Sequence, residues 1–261
     1  MKLAISYLFS YIVLSLYFNL LPVIFSMNDI VRFFHLLVFF PFAYLVSKSL
    51  NQKGLIMYGL HFFKGWQKNL FTGFAIGFSA WAVLFSLRFL LGDFQWNGMK
   101  PLSESLLAVA VIFVGFGLGS LINDMIVNGL LLYYFKDRMP FIFVMIFAVA
   151  VYSLDDIWNE GFSFNNTIFS IALGLSITFA FYKTDSIWVS TGIHLGLNVV
   201  YGLFFGISGN AGDGLILFEM NSNTNFLHNW LSTIIAFTMF LFVYLTYRDN
   251  QRFQPAIPIV K

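Results

Sequence analysis

Eight apolar stretches, each close to the length of a bilayer crossing, leave few folds open to this chain. They run near Ala4–Ser26, Ile30–Leu50, Leu70–Leu91, Ser105–Phe135, Phe141–Trp158, Thr167–Tyr182, Ile187–Phe205 and Phe226–Tyr247. Only 10% of the 261 residues are charged, against roughly a quarter in a soluble domain. With 59% hydrophobic residues, the chain is also far from the composition of a disordered segment. The first stretch follows Met1-Lys2. It is longer than a signal-peptide core and has no small-residue cleavage site after it, so it reads as a retained span. The expected fold is an all-α, polytopic membrane helix bundle of about eight transmembrane helices. Residues 1–261 form a single integral-membrane domain without repeats or linkers. The lipid bilayer is then the first partner, and a net charge of +2 argues against nucleic acid. With no cysteine, disulfides, a thiolate nucleophile and sulfur metal sites are excluded.

The basic residues predict the orientation. With the N-terminus in the cytoplasm, Lys2, Lys48, Lys53, Lys64, Lys68, Lys136, Arg138, Lys183, Arg248, Arg252 and Lys261 fall inside. Between spans on the outside there are only Arg32 and Lys100. This asymmetry follows the positive-inside rule and places both termini in the cytoplasm. Residues 51–69 mix Leu55, Ile56, Tyr58, Phe62, Phe63 and Trp66 with Lys53, Lys64 and Lys68. That pattern suits an interfacial helix or an ordinary amphipathic loop.

Ionisable side chains inside spans are expensive and mark functional sites by default. Here they are His35, Arg88, Asp124, Asp155, Asp156 and His194, accompanied by Asn123, Asn128 and Asn198. Structural alternatives stand beside the functional ones. Asp124 can pair with Arg88, and Asp155 and Asp156 can be solvated at the outer end of the fifth span. His194 and Asn198 are four residues apart and share a helix face, so they can jointly hold a water, a metal or a carbonyl. Gly115, Gly117 and Gly119 lack the strand and the Lys-Ser/Thr of a phosphate loop. They read as a patch for close packing or local flexibility on a helix that, from Ser105 to Phe135, would measure about 45 Å.

Three clusters in order resemble the intramembrane proteases of the CAAX-protease and bacteriocin-processing (CPBP, or Abi) family. The family pattern is Glu-Glu-x-x-x-Arg, then Phe-x-x-x-His, then His-x-x-x-Asn/Asp. The third part is intact in Gly192-Ile193-His194-Leu195-Gly196-Leu197-Asn198, after the approach Ser186-Ile187-Trp188. The second is altered, with Tyr152 at the Phe position and Asp156 at the His position. The first is altered most: Asn123-Asp124 replaces the Glu pair and Asn128 replaces the Arg, before Gly129. The resemblance covers about residues 105–203 and implies hydrolysis of peptide bonds in or near the membrane, with an integral protein of the bacterial cell membrane.

The resemblance makes Asp124, Asp156, His194 and Asn198 the catalytic candidates, with Asn123, Asn128 and Tyr152 at degenerate positions. In the family the first Glu and the His residues are thought to activate a water while the Asn helps bind the oxyanion. An amide cannot take the water's proton, so Asn123 is a poor substitute. Asp124 lies about 100° round the helix from it. Asp124, Asp156 and His194 would form a two-carboxylate, one-His water site if they converged. Asp156 and His194 would then be the ligands of any divalent metal such as zinc. The sequence favours a degenerate member that binds a membrane-proximal peptide or membrane protein as a scaffold or immunity factor. The alternatives are an active endopeptidase with a divergent site and, in another class, a small transporter with a polar path through Arg88, Asp124 and His194.

Overall fold

A computed structural model describes residues 2–156, 161–221 and 226–249. The ends of the expected stretches at Trp158, and Arg252 and Lys261, lie outside the described residues. The helices are α1 (Leu3–Phe25), α2 (Asp29–Ser49), α3 (Trp66–Leu90), α4 (Leu102–Phe135), α5 (Phe141–Asp155), α6 (Phe164–Thr184), α7 (Ile187–Phe205) and α8 (Phe226–Tyr247). Seven are long and apolar enough to cross a membrane. The exception is α5, whose 15 residues rise about 22 Å. The protein is therefore an all-α, polytopic integral membrane bundle. Its outer surface carries large apolar side chains such as Ile5, Phe71, Leu90 and Leu107, which suit contact with lipid acyl chains.

Local chemistry sets the helix starts. The Asn28 side chain accepts from the Val31 amide (3.0 Å) at the start of α2, and Ser163 accepts from the Asn166 amide (3.1 Å) at the start of α6. Each satisfies one of the amides that a helix leaves unpaired at its N-terminus. Pro101 and Pro140 stand just before α4 and α5, where a missing amide costs nothing.

Contacts between loops sort the two faces. On one face Tyr133 donates to Gln52 (2.7 Å), Lys136 donates to the Tyr182 carbonyl (2.7 Å) and pairs with Asp185, and Lys183 donates to the Arg248 carbonyl (3.1 Å). On the other, β1 (Phe94–Met99) and β2 (Ile216–Met220) form an antiparallel two-stranded sheet, with Phe94 opposite Met220 and a bulge between Trp96 and Gly98. Hydropathy gave no sign of this sheet. Its strands lie in different interhelical links, and neither has a neighbour in sequence to pair with.

Of the two readings of segment 51–69, the structure shows the loop. A 3-10 turn spans Gly54–Tyr58, α3 begins at Trp66, and Met57 and Tyr58 are fully buried. The Tyr58 hydroxyl donates to the Ala43 carbonyl (3.0 Å). Its own carbonyl lies against Gly129, where a Cβ would come within 1.9 Å of the oxygen. The bundle takes up Met57 and Tyr58, while Ile56 and Phe62 stay exposed.

Helices α3 and α7 approach each other backbone to backbone. A Cβ at Gly73 or Gly77 would lie 2.2 or 2.0 Å from the carbonyl oxygen of Val189 or Ile193. A Cβ at Gly192 or Gly196 would lie 2.2 or 2.3 Å from that of Leu70 or Phe74. Two Gly-x-x-x-Gly faces thus meet backbone to backbone, the arrangement that lets membrane helices approach closely without a hydrophobic drive. Of Gly115, Gly117 and Gly119, Gly115 is close to a side chain, with a Cβ there 3.0 Å from Ile207 Cδ1, whereas a Cβ at Gly119 would meet nothing within 4 Å.

Candidate active site

The first polar cluster sits where α4 changes pitch. Leu102–Asp124 is α-helical, Met125–Gly129 is a π-helical turn, and Leu130–Phe135 is α-helical again. Such insertions re-aim side chains and are frequent at functional sites. A second π turn, Leu16–Leu20 in α1, carries Asn19 toward the same region.

Asp124 and Asn123 point to different neighbours. Asp124 is fully buried and faces α7, accepting from Ser190 Oγ (3.2 Å) and Thr191 Oγ1 (3.0 Å). Its Oδ1 lies 3.4 Å from His194 Nδ1. Three polar neighbours on one helix offset the cost of removing a carboxylate from water. Asn123 faces α5 instead, and its Nδ2 donates to Asp155 Oδ2 (2.9 Å). Asp155 also receives Tyr11 (3.2 Å), Ser15 (3.5 Å) and Asn19 (3.4 Å), all from α1. At 3% exposure it is not the solvated carboxylate that its place at a helix end suggested.

The expected Asp124–Arg88 pair is absent. Arg88 Nη2 donates to Ser232 Oγ of α8 (3.0 Å), far along the bundle from the carboxylate's partners on α7. Asp156 does not join Asp124 and His194 either; it accepts from Ser170 of α6. Asn128, where the family pattern has Arg, is fully buried and accepts from Thr178 Oγ1 (2.7 Å). Tyr152 packs on Gly174, where a Cβ would lie 3.0 Å from its ring. Its ring centroid is 6.4 Å from that of His194. Asn198 Nδ2 donates to Ser120 Oγ (3.1 Å), which ties α7 to α4 one turn beyond His194.

His194, Asn198, Asn123, Tyr152, Ser120 and Asp156 line a cavity of about 1400 Å³. With its proton on Nδ1 and directed at Asp124, His194 keeps Nε2 as an acceptor. Asn198 has a second amide hydrogen beyond the one given to Ser120. The donor set does not suit a divalent metal. Among the described residues no three His, Asp or Glu side chains group closely enough to hold one, because Asp156 is turned to α6.

Sequence reasoning missed the roles of Ser190, Thr191 and Ser120. Ser190 and Thr191 stand about one turn before His194 and Ser120 one turn before Asp124, but hydroxyls in membrane helices commonly bond their own backbone, so type and spacing did not single them out.

Residues 102–200 match the model of the family described as type II CAAX prenyl endopeptidase Rce1-like. The matched span agrees with the 105–203 expected from the motifs. No curated protein and no solved structure matched the chain.

Proposed function

Because residues 102–200 match the Rce1-like family of CAAX endopeptidases, we propose that this membrane protein is a non-hydrolytic member that holds a membrane-proximal peptide in its cavity. A bacterial cell membrane is its proposed setting. One observation carries the reading: at the position of the family's first Glu, Asn123 spends its amide on Asp155 (2.9 Å). A group that cannot accept a proton, and that braces α4 against α5, does not activate water. Asp156, at the position of the family's first His, is likewise engaged with Ser170. The cavity itself persists, with amide, hydroxyl and aromatic groups suited to a peptide backbone and its side chains. The test is reconstituted protein with a photoreactive residue in place of Phe169, which lines the cavity. Cross-linking to an added membrane peptide without cleavage is the expected result.

A second reading is favoured by the 3.4 Å approach of His194 Nδ1 to Asp124. In it Asp124 orients the imidazole and His194 Nε2 takes the proton of a water as its oxygen attacks the peptide carbonyl. Asn198 donates to the oxyanion that forms. Turnover of a peptide by the purified protein, lost in both Asp124→Asn and His194→Ala, would establish this reading in place of the first.

A further inference from the structure

We propose that the cavity opens to the non-cytoplasmic side of the membrane and admits an extended peptide segment from there. The proposal rests on the peptide-binding reading for its ligand, and on geometry and charge for its direction.

Apart from α4, which lines the cavity from Ala110 to Asn123, the helices that line it do so with the same end. α1 contributes Asn19 but nothing from its first turns, and α3 contributes Arg88 but nothing near Trp66. From α5 only Tyr152 and Asp156 take part, at its last turn. On α6 the lining begins at Asn165 and stops at Leu173, while on α7 it starts at His194 and continues through Phe205. Because successive helices run in opposite directions, these ends all lie on the face that carries the β1–β2 sheet. The opposite ends are packed shut, as the buried turn at Met57-Tyr58 and the glycine seam near Leu70 illustrate.

Charge identifies that face. Among the described residues, Lys48, Lys53, Lys64, Lys68, Lys136, Arg138, Lys183 and Arg248 lie at the closed end. Arg32, Arg88 and Lys100 lie at the open end. Lysine and arginine near span ends are retained in the cytoplasm, so the closed end is cytoplasmic. His194 lies 11 residues before the end of α7 at Phe205, which places it about 16 Å below the rim. An extended chain advances about 3.3 Å per residue, so about five residues of a ligand are needed to reach it. A loop tip or chain end meets that demand, whereas a folded surface does not.

The absence of cysteine makes the chain its own background for an accessibility test. Gly119 lines the cavity, and a Cβ there meets open space, so Gly119→Cys adds a thiol without disturbing the fold. Ala110→Cys probes the same wall nearer the rim. Asn97→Cys on β1 and Lys68→Cys at the start of α3 mark the two faces. The full chain is expressed in bacterial spheroplasts and treated with a membrane-impermeant maleimide. Gly119→Cys, Ala110→Cys and Asn97→Cys are expected to react in intact spheroplasts. Lys68→Cys should react only after permeabilisation, with at least a tenfold gain. If the two cavity positions react only after permeabilisation, or not at all while both markers behave as expected, the proposal is overturned. The same holds if the markers are reversed. The labelling needs neither binding nor cleavage, so its outcome stands apart from that of the peptide-binding reading.

Discussion

The two walls that meet at His194 are built in opposite ways. On one side α3 and α7 touch through Gly73, Gly77, Gly192 and Gly196, with no room for a single added carbon. On the other, α4 faces α7 across open space at Gly119 and across polar contacts at Ser120 and Asp124. The first wall is held by backbone packing, the second by hydrogen bonds around a cavity and, nearer the end of α7, by Ile112 and Phe116 side chains against Gly202. His194 lies two residues from both Gly192 and Gly196, and so on roughly the opposite face of α7 from them. The seam therefore fixes the helix whose other side carries the imidazole. The position of the imidazole in the cavity is thus set by a contact that lies outside the cavity.

The largest effect is expected at the seam. Gly77→Leu drives a side chain into the Ile193 carbonyl and must separate the two helices, a cost of about 3 kcal/mol or more. Loss of the folded fraction in a detergent thermal unfolding assay checks it, and wild-type stability would break the contrast between the walls. Next comes Asp124→Leu, which strips the acceptor from Ser190, Thr191 and His194 and should cost about 3 kcal/mol. Asp124→Asn keeps an acceptor oxygen and should cost only about 1 kcal/mol. Unfolding curves of the two variants side by side sharpen the claim that the second wall is held by polar contacts. The smallest effect belongs to Gly119→Ala. Its methyl enters open space and a glycine leaves a helix, so stability should hold or rise by up to about 1 kcal/mol. A clear loss would show that α4 is as tightly packed as α3.

Much of this was legible in the sequence, and the misses have physical causes. Each span was visible because a bilayer crossing is a local demand on about twenty consecutive residues. The pair His194 and Asn198 was visible because four residues is one helical turn. The glycines were misassigned for a different reason. Gly115 and Gly119 have the same four-residue spacing as Gly73/Gly77 and Gly192/Gly196, yet Gly119 opens on the cavity while the other two pairs meet a backbone. Spacing supplies only half of a contact until the partner helix is known. Asp155 looked solvated because it ends a span; its burial depends on Tyr11, Ser15 and Asn19, more than 130 residues away in the chain.

By itself, then, the sequence determined the membrane class, the spans, the charge asymmetry between faces and the motif positions on α4, α5 and α7. All of these are set by residues close together in the chain, through hydropathy, helical period and charge. The tertiary structure decided which polar groups meet. It put Asp124 with His194 rather than Arg88, turned Asn123 to Asp155 and Asp156 to Ser170, and left the cavity open at one end. Within a bilayer every helix buries its own backbone polar groups equally well. Hydropathy is therefore blind to which helices become neighbours, and that choice falls to interhelical packing and side-chain hydrogen bonds.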